Sequence, residues 1–286
     1  MKKAVLSVAL FVLVITTAGA GVWLTHYFLE SREQQELFSQ LREDTAVQTS
    51  VSRNSSAPKE TLVDRWFGFL KPGTTATPMP NQGAENEETP VPPVVEEEPA
   101  GVAEPVRHDT EMLADRNEDC IGWVTVPGTG IDYPVMWTPQ EPQKYLQRSF
   151  QGENSSYGVP FLDGRCTPDS GNLILYGHNM FDGSMFTPLI YFDSGDLGRL
   201  VLLEIGGELR EYEIIAVAHT TAKSPLYHYT EVDSVYGAAA FLAAVKSECP
   251  EMTPLSAQDG MEFVTLSTCE VSREDGRALV IGRRIQ

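Results

Sequence analysis

Hydrophobic and polar positions divide this chain into four stretches. Ala4 to Leu24 is 21 positions without a charge, preceded by Lys2 and Lys3. At 1.5 Å per residue such a helix spans about 30 Å, the thickness of a bilayer core. The pattern predicts a transmembrane helix with a cytoplasmic N-terminus and with Trp23 and Tyr27 at the interface. Ala18-Gly19-Ala20 also resembles the cleavage site of a signal peptide, but the apolar run continues past it through Val22, Trp23 and Leu24. Glu30 to Gln48 is polar, with Leu37, Phe38 and Leu41 at helical spacing, and predicts a short juxtamembrane helix. Thr61 to Leu70 carries Trp66, Phe67, Phe69 and Leu70. That patch fits docking on a membrane or on the folded domain, and equally a sticky spot in a tether. Lys71 to Pro105 is rich in proline and glutamate and predicts an extended spacer that buries too little apolar surface to fold.

From residue 106 the pattern changes to short apolar runs separated by turn signals. Strands are expected at Trp123–Val126, Ile131–Val135, Leu173–Tyr176, Leu200–Ile205, Leu209–Ala218, Phe263–Cys269 and Ala278–Ile285. Helices are expected at Arg107–Asn117, around Lys144–Phe150, at Met185–Tyr191 and at Glu231–Glu248. The segmentation is therefore an anchor over 1–29, a juxtamembrane segment and linker over 30–105, and one domain over 106–286. Its class is mainly β, a barrel or sandwich with peripheral helices.

The net charge of −19 comes partly from the spacer, yet it argues against nucleic acid as a partner, because phosphate binding needs a basic face. No phosphate-cradling glycine loop and no zinc-type Cys/His spacing is present in the sequence. Cys120, Cys166, Cys249 and Cys269 are an even number in a chain read as extracytoplasmic, which permits disulfides. Free, buried thiols are the expectation for the first three.

Candidate chemistry gathers at the C-terminal end. In Phe263 to Cys269 successive side chains point to opposite faces, so Val264 and Leu266 would face a core while Thr265, Ser267 and Cys269 share the other face. Glu270 to Gly276 reads as a hairpin loop, and Arg277 opens the next strand-like run. Pairing of the two runs would bring Cys269 beside Arg277, about 5 Å away. A guanidinium there favours thiolate and can donate to the oxyanion that forms when a thiolate attacks a carbonyl. Leu173 to Asn179 is an apolar strand ending in Gly-His-Asn, which sets His178 at a strand exit, suited to proton transfer. His219 also ends an apolar strand and rivals His178. Arg273 rivals Arg277 but falls mid-loop, where a solvated charge is expected. A lone strand cysteine is more often a small buried hydrophobe than a nucleophile.

Tyr176-Gly177-His178-Asn179-Met180 and Thr265-Leu266-Ser267-Thr268-Cys269 resemble the histidine and cysteine motifs of sortases. Gly158-Val159-Pro160-Phe161-Leu162-Asp163 and Ile131-Asp132-Tyr133-Pro134-Val135 are similar to other sortase segments and stand in the same order, with Pro160 a departure. The 91-residue interval from His178 to Cys269 resembles class B, whose members carry an extra helix before the cysteine strand. The resemblance implies a closed sortase-type β-barrel and a catalytic set of His178, Cys269 and Arg277, with Ser267 touching the substrate and with no metal or organic cofactor. It implies thiolate attack on a threonine carbonyl in the C-terminal sorting signal of a secreted protein, then transfer to an amine of peptidoglycan or a pilin. It also implies residence at the membrane of a Gram-positive-type bacterium, with residues 4–24 in lipid. A hydrolytic cysteine protease and a binding module with an idle thiol remain the alternatives. Papain-like enzymes, however, set the cysteine before the histidine and at a helix start.

Overall fold

A computed structural model describes residues 2–47 and 107–285. The segments Thr61–Leu70 and Lys71–Pro105 lie outside the described residues.

The N-terminal helix α1 runs unbroken over Lys2–Thr45, so the juxtamembrane helix is a continuation of the apolar one, and residues 29 and 30 lie inside it. Nothing between Leu24 and Glu30 stops a helix: the charges begin there, but there is no proline or glycine. From Phe11 onward α1 is long and apolar enough to cross a membrane. Its C-terminal half behaves differently. Ser31, Gln34, Phe38, Leu41 and Thr45 are buried, and their alternating steps of three and four residues make one face of a helix. Phe38 meets Tyr133 edge to face at 5.2 Å, and Arg42 holds the Asp132 carboxylate at 2.5 Å.

Strands β1 (Ala46–Val47) and β2 (Arg107–His108) pair antiparallel, with Val47 opposite Arg107. Helix α2 follows at Thr110–Arg116, N-capped by the Asp109 carboxylate, which accepts from the Met112 N–H. It is shorter than the expected Arg107–Asn117 because Arg107 and His108 are drawn into the strand. His108 is buried, stacked on Trp123 with ring centroids 4.2 Å apart, and its Nδ1 lies 2.8 Å from the Glu204 carboxylate.

Eight strands close the barrel: β3 (Cys120–Thr125), β4 (Asp132–Met136), β5 (Phe161–Leu162), β6 (Asn172–Tyr176), β7 (Leu200–Ile205), β8 (Glu208–Thr221), β9 (Phe263–Cys269) and β10 (Gly276–Arg284). Around the barrel their order is β10-β8-β7-β3-β4-β5-β6-β9, and β9 pairs with β10 to close the ring. The predicted strands are all present. The strand the pattern missed in this ring is β5, two residues long. Two expected helices are instead short 3₁₀ turns, at Lys144–Leu146 and Thr187–Tyr191. The first ends where Gln147 leaves helical geometry at φ −135°, and Met185 at φ 56° together with Pro188 in the first turn keeps the second short. Helix α3 spans Val235–Glu248 and starts four residues later than expected, because Ser234 caps it by accepting from the Gly237 N–H.

Candidate active site

Two pairings set the site. Strand β6 runs parallel to β9, with Tyr176 level with Ser267. The pairing persists past the strand end, since the Gly177 N–H donates to the Ser267 carbonyl at 3.1 Å and the Thr268 hydroxyl to the Gly177 carbonyl at 2.8 Å. Continuing that register by two residues from Tyr176 and Ser267 brings His178 level with Cys269. The Asn179 side-chain amide then donates to the Cys269 carbonyl at 2.9 Å and ties the two strand ends together. Glycine is required at 177, where a Cβ would come within 2.5 Å of the Phe186 ring. Strand β10 runs antiparallel to β9 with Arg277 directly opposite Cys269, and side chains of such a pair share a face.

His178, Cys269 and Arg277 all line one cleft of about 590 Å³, together with Leu146, Phe161, Arg165, Tyr176, Tyr227 and Ser267. Cys269 is exposed at its rim. His178 is half-buried, and its Nε2 lies 2.6 Å from the Leu146 carbonyl. A carbonyl only accepts, so Nε2 carries a proton and Nδ1 is left to take up or release one. Arg277 directs Nη1 to the Gly276 carbonyl at 2.8 Å, which orients its guanidinium.

The walls of the cleft are aromatic and hydrogen-bonded. Tyr176 and Tyr227 stack at 6.0 Å. The Tyr176 hydroxyl donates to the buried Asp163 carboxylate at 2.8 Å, and Arg165 grips the same carboxylate through Nε and Nη2. Burial pushes the Asp163 carboxyl up, but the bonds from Arg165 and Tyr176 outweigh it and hold the group below the usual carboxylate range. Burial also raises the Tyr176 and Tyr227 phenols, so both stay protonated at neutral pH. The Ser267 hydroxyl is buried and committed to the Tyr227 hydroxyl at 2.8 Å. Thr265, expected to share a face with Ser267 and Cys269, is buried as well and donates to the Asn172 side-chain oxygen at 3.0 Å. Alternation along β9 therefore separates two covered faces, and only its last residue reaches solvent.

The rivals are placed elsewhere. His219 pairs with Ala278 across the sheet, so it occupies the face opposite Arg277 and Cys269. Its Nδ1 lies 3.2 Å from the Glu270 carboxylate and its Nε2 lies 3.1 Å from the Phe192 carbonyl. Arg273 is exposed, as expected of a mid-loop charge, and donates to the His219 carbonyl at 2.9 Å. Leu146, Asn179, Asp163 and Tyr227 are site residues to which the sequence reading gave no role. The first acts through a backbone carbonyl, which no side-chain pattern reveals. Among the described residues no group of three His, Cys, Asp or Glu side chains could hold a metal.

The sortase-domain family model matches residues 124–285, more than half of the chain. The chain belongs to the sortase family. Sortase B of Listeria monocytogenes is 31% identical over 186 residues, which are 63% of this chain and 75% of that protein. The sortase B structure of Clostridium perfringens superposes with a TM-score of 0.56 at 26% identity, covering 62% of this chain and all of that one. A class B sortase of Streptococcus pyogenes involved in pilus biogenesis gives 0.53 at 29% identity, over 61% of this chain and 96% of the other. The chain is thus a class B sortase, a cysteine transpeptidase with the closed barrel of that family.

The four thiols of this sortase differ in their surroundings. Cys120, Cys166 and Cys249 are free and buried. Burial pushes the Cys120 thiol up to about 12 and the Cys166 thiol up to about 11. Iodoacetamide at pH 8 is therefore expected to modify Cys269 in the native protein and to reach Cys120 and Cys166 only after unfolding, because the thiolate is the reacting form. Peptide mapping after timed quenching checks this, and simultaneous labelling of Cys120 would contradict it.

Proposed function

We propose that Cys269, His178 and Arg277 carry out transpeptidation on a threonine-containing sorting signal. The observation that supports this is the register: β6 beside β9 and β9 beside β10 bring the three side chains to one cleft. The Cys269 thiolate attacks the threonine carbonyl carbon, and Arg277 donates to the oxyanion. The C–N bond then breaks as His178 gives its proton to the departing amine, leaving a thioester on Cys269. An acceptor amine attacks the thioester, His178 takes the proton from its nitrogen, and the thiolate leaves as the new amide forms. The aromatic wall of Tyr176 and Tyr227, with Ser267 behind it, receives the sorting peptide.

The acceptor is an amine of peptidoglycan or of a pilin. The apolar stretch of α1 over residues 4–24 anchors the enzyme as a single-pass protein with the N-terminus in the cytoplasm. The anchor spans 1–29, the juxtamembrane and linker residues 30–105, and the catalytic domain 106–286 lies outside. Lys2 and Lys3 ahead of the apolar run support that orientation.

Incubating the enzyme with a cleavable sorting peptide, with and without candidate amines, tests the reaction. Ligated product is expected by mass, with faster peptide consumption in the presence of the matching amine. Hydrolysis that neither a cross-bridge peptide nor a pilin lysine can divert would instead make the protein a protease.

A further inference from the structure

His178 is held between two loops, and both loops are gripped by the same few residues of α1. On one side lies the loop from Leu146 to Gly158. It begins with the carbonyl that receives the His178 Nε2 proton. At its far end Gly158 has φ 61°, and a Cβ there would come within 2.6 Å of the Tyr145 carbonyl, 2.8 Å of the Leu146 carbonyl and 3.2 Å of His178 Cδ2. The loop thus closes tightly against the imidazole. From outside, the Glu30 carboxylate accepts from the Ser156 N–H at 2.6 Å, the Ser156 hydroxyl at 2.9 Å and the Ser155 hydroxyl at 3.2 Å. Tyr27 packs on Tyr157 at 5.8 Å.

On the other side lies the segment that leaves His178. Four residues on, Asp182 accepts from the Ser31 hydroxyl at 2.6 Å, the Tyr157 hydroxyl at 2.8 Å and the Ser184 hydroxyl at 2.6 Å. Burial pushes this carboxyl up, but the hydroxyl and amide bonds prevail and keep it below the usual range. Tyr27, Glu30 and Ser31 stand at helical spacing i, i+3 and i+4, so one patch of α1 serves both loops.

We propose that this patch of α1 is a positioning device for His178, so that docking of the N-terminal helix sets the geometry of proton transfer. The inference rests on the reading of His178 as the proton-transfer residue. It is more than a claim that α1 supports the fold, because α1 also docks through Phe38 on Tyr133 and Arg42 on Asp132, neither of which belongs to the two loops. Glu30 and Ser31 touch neither substrate nor reacting atoms and act only through the two loops.

The test compares the full chain carrying Glu30→Gln with Ser31→Ala against the full chain carrying Arg42→Gln, a variant that loosens α1 at Asp132. The double variant is expected to lose roughly tenfold or more in kcat with KM little changed, as small misplacements of a catalytic group do. Arg42→Gln should keep both constants near the parent values. Ser31→Ala alone removes a single hydroxyl and should show the same loss in kcat on a smaller scale, and Ser31→Thr, which returns the hydroxyl, should recover it. A parent-like kcat in Ser31→Ala and in the double variant overturns the proposal, as does an equal loss of kcat in Arg42→Gln. His178→Ala separates the two readings. If it keeps full activity, the assignment of the proton-transfer residue fails. If it is inactive while the double variant runs at the parent rate, only the positioning role fails.

Discussion

Cys269→Ala is expected to lose peptide transfer by at least about 10⁴-fold while the barrel stays folded. Folding is spared because Cys269 is the exposed end of β9, so truncation opens no cavity. Activity is not spared, since no other thiol lines the cleft and the remaining three are buried. His178→Ala should fall on the same scale. His219→Ala should stay near the parent rate, because its ring faces Glu270 and the Phe192 carbonyl on the far side of the sheet. Steady-state transfer assays with a matched thermal melt for each variant check this. An inactive His219→Ala beside an active His178→Ala would reverse the assignment.

Arg277→Lys is the second large effect, a loss of roughly 10²–10³ in kcat, the usual scale for one oxyanion donor. Lysine keeps the charge opposite Cys269 but loses the planar fork. It also cannot reproduce an orientation in which one nitrogen is held by the Gly276 carbonyl while the rest of the group faces the cleft. Arg273→Lys should change little, because Arg273 is exposed and bonds the His219 carbonyl near the end of β8. Measuring both variants with one peptide and one amine decides the matter. Equal, mild losses at the two positions would take the oxyanion role away from Arg277.

The parts of this enzyme that were legible in the sequence are those fixed by local pattern. Leu200–Ile205 and Phe263–Cys269 were predicted to the residue, because β-rich runs there are bounded by polar turns. The hairpin between Cys269 and Arg277 follows from its loop length, so their pairing could be read in advance. The failures share a cause in distant partners. The pattern puts Ser267 and Thr265 on one face with Cys269 but does not show that Tyr227 and Asn172 arrive from 40 and 93 residues away to bond them there. That His219 lies on the face opposite Arg277 follows from the pairing of β8 with β10, which no local pattern reveals. Leu146 contributes an atom that every residue owns. The continuity of α1 was hidden by a change from apolar to charged residues, which alters the environment of a helix without ending it.

The pairing of Val47 with Arg107 has a consequence for the 59 residues between them. Residues 47 and 107 are adjacent in the fold, while α1 itself joins the apolar stretch to the barrel. The distance from that stretch to the cleft is therefore set by the helix and not by the number of residues between 47 and 107. Closing a chain between two neighbouring points costs only about 0.6 kcal/mol more for each doubling of its length. Halving the segment 48–106, or threading a guest sequence into it, should leave that distance unchanged.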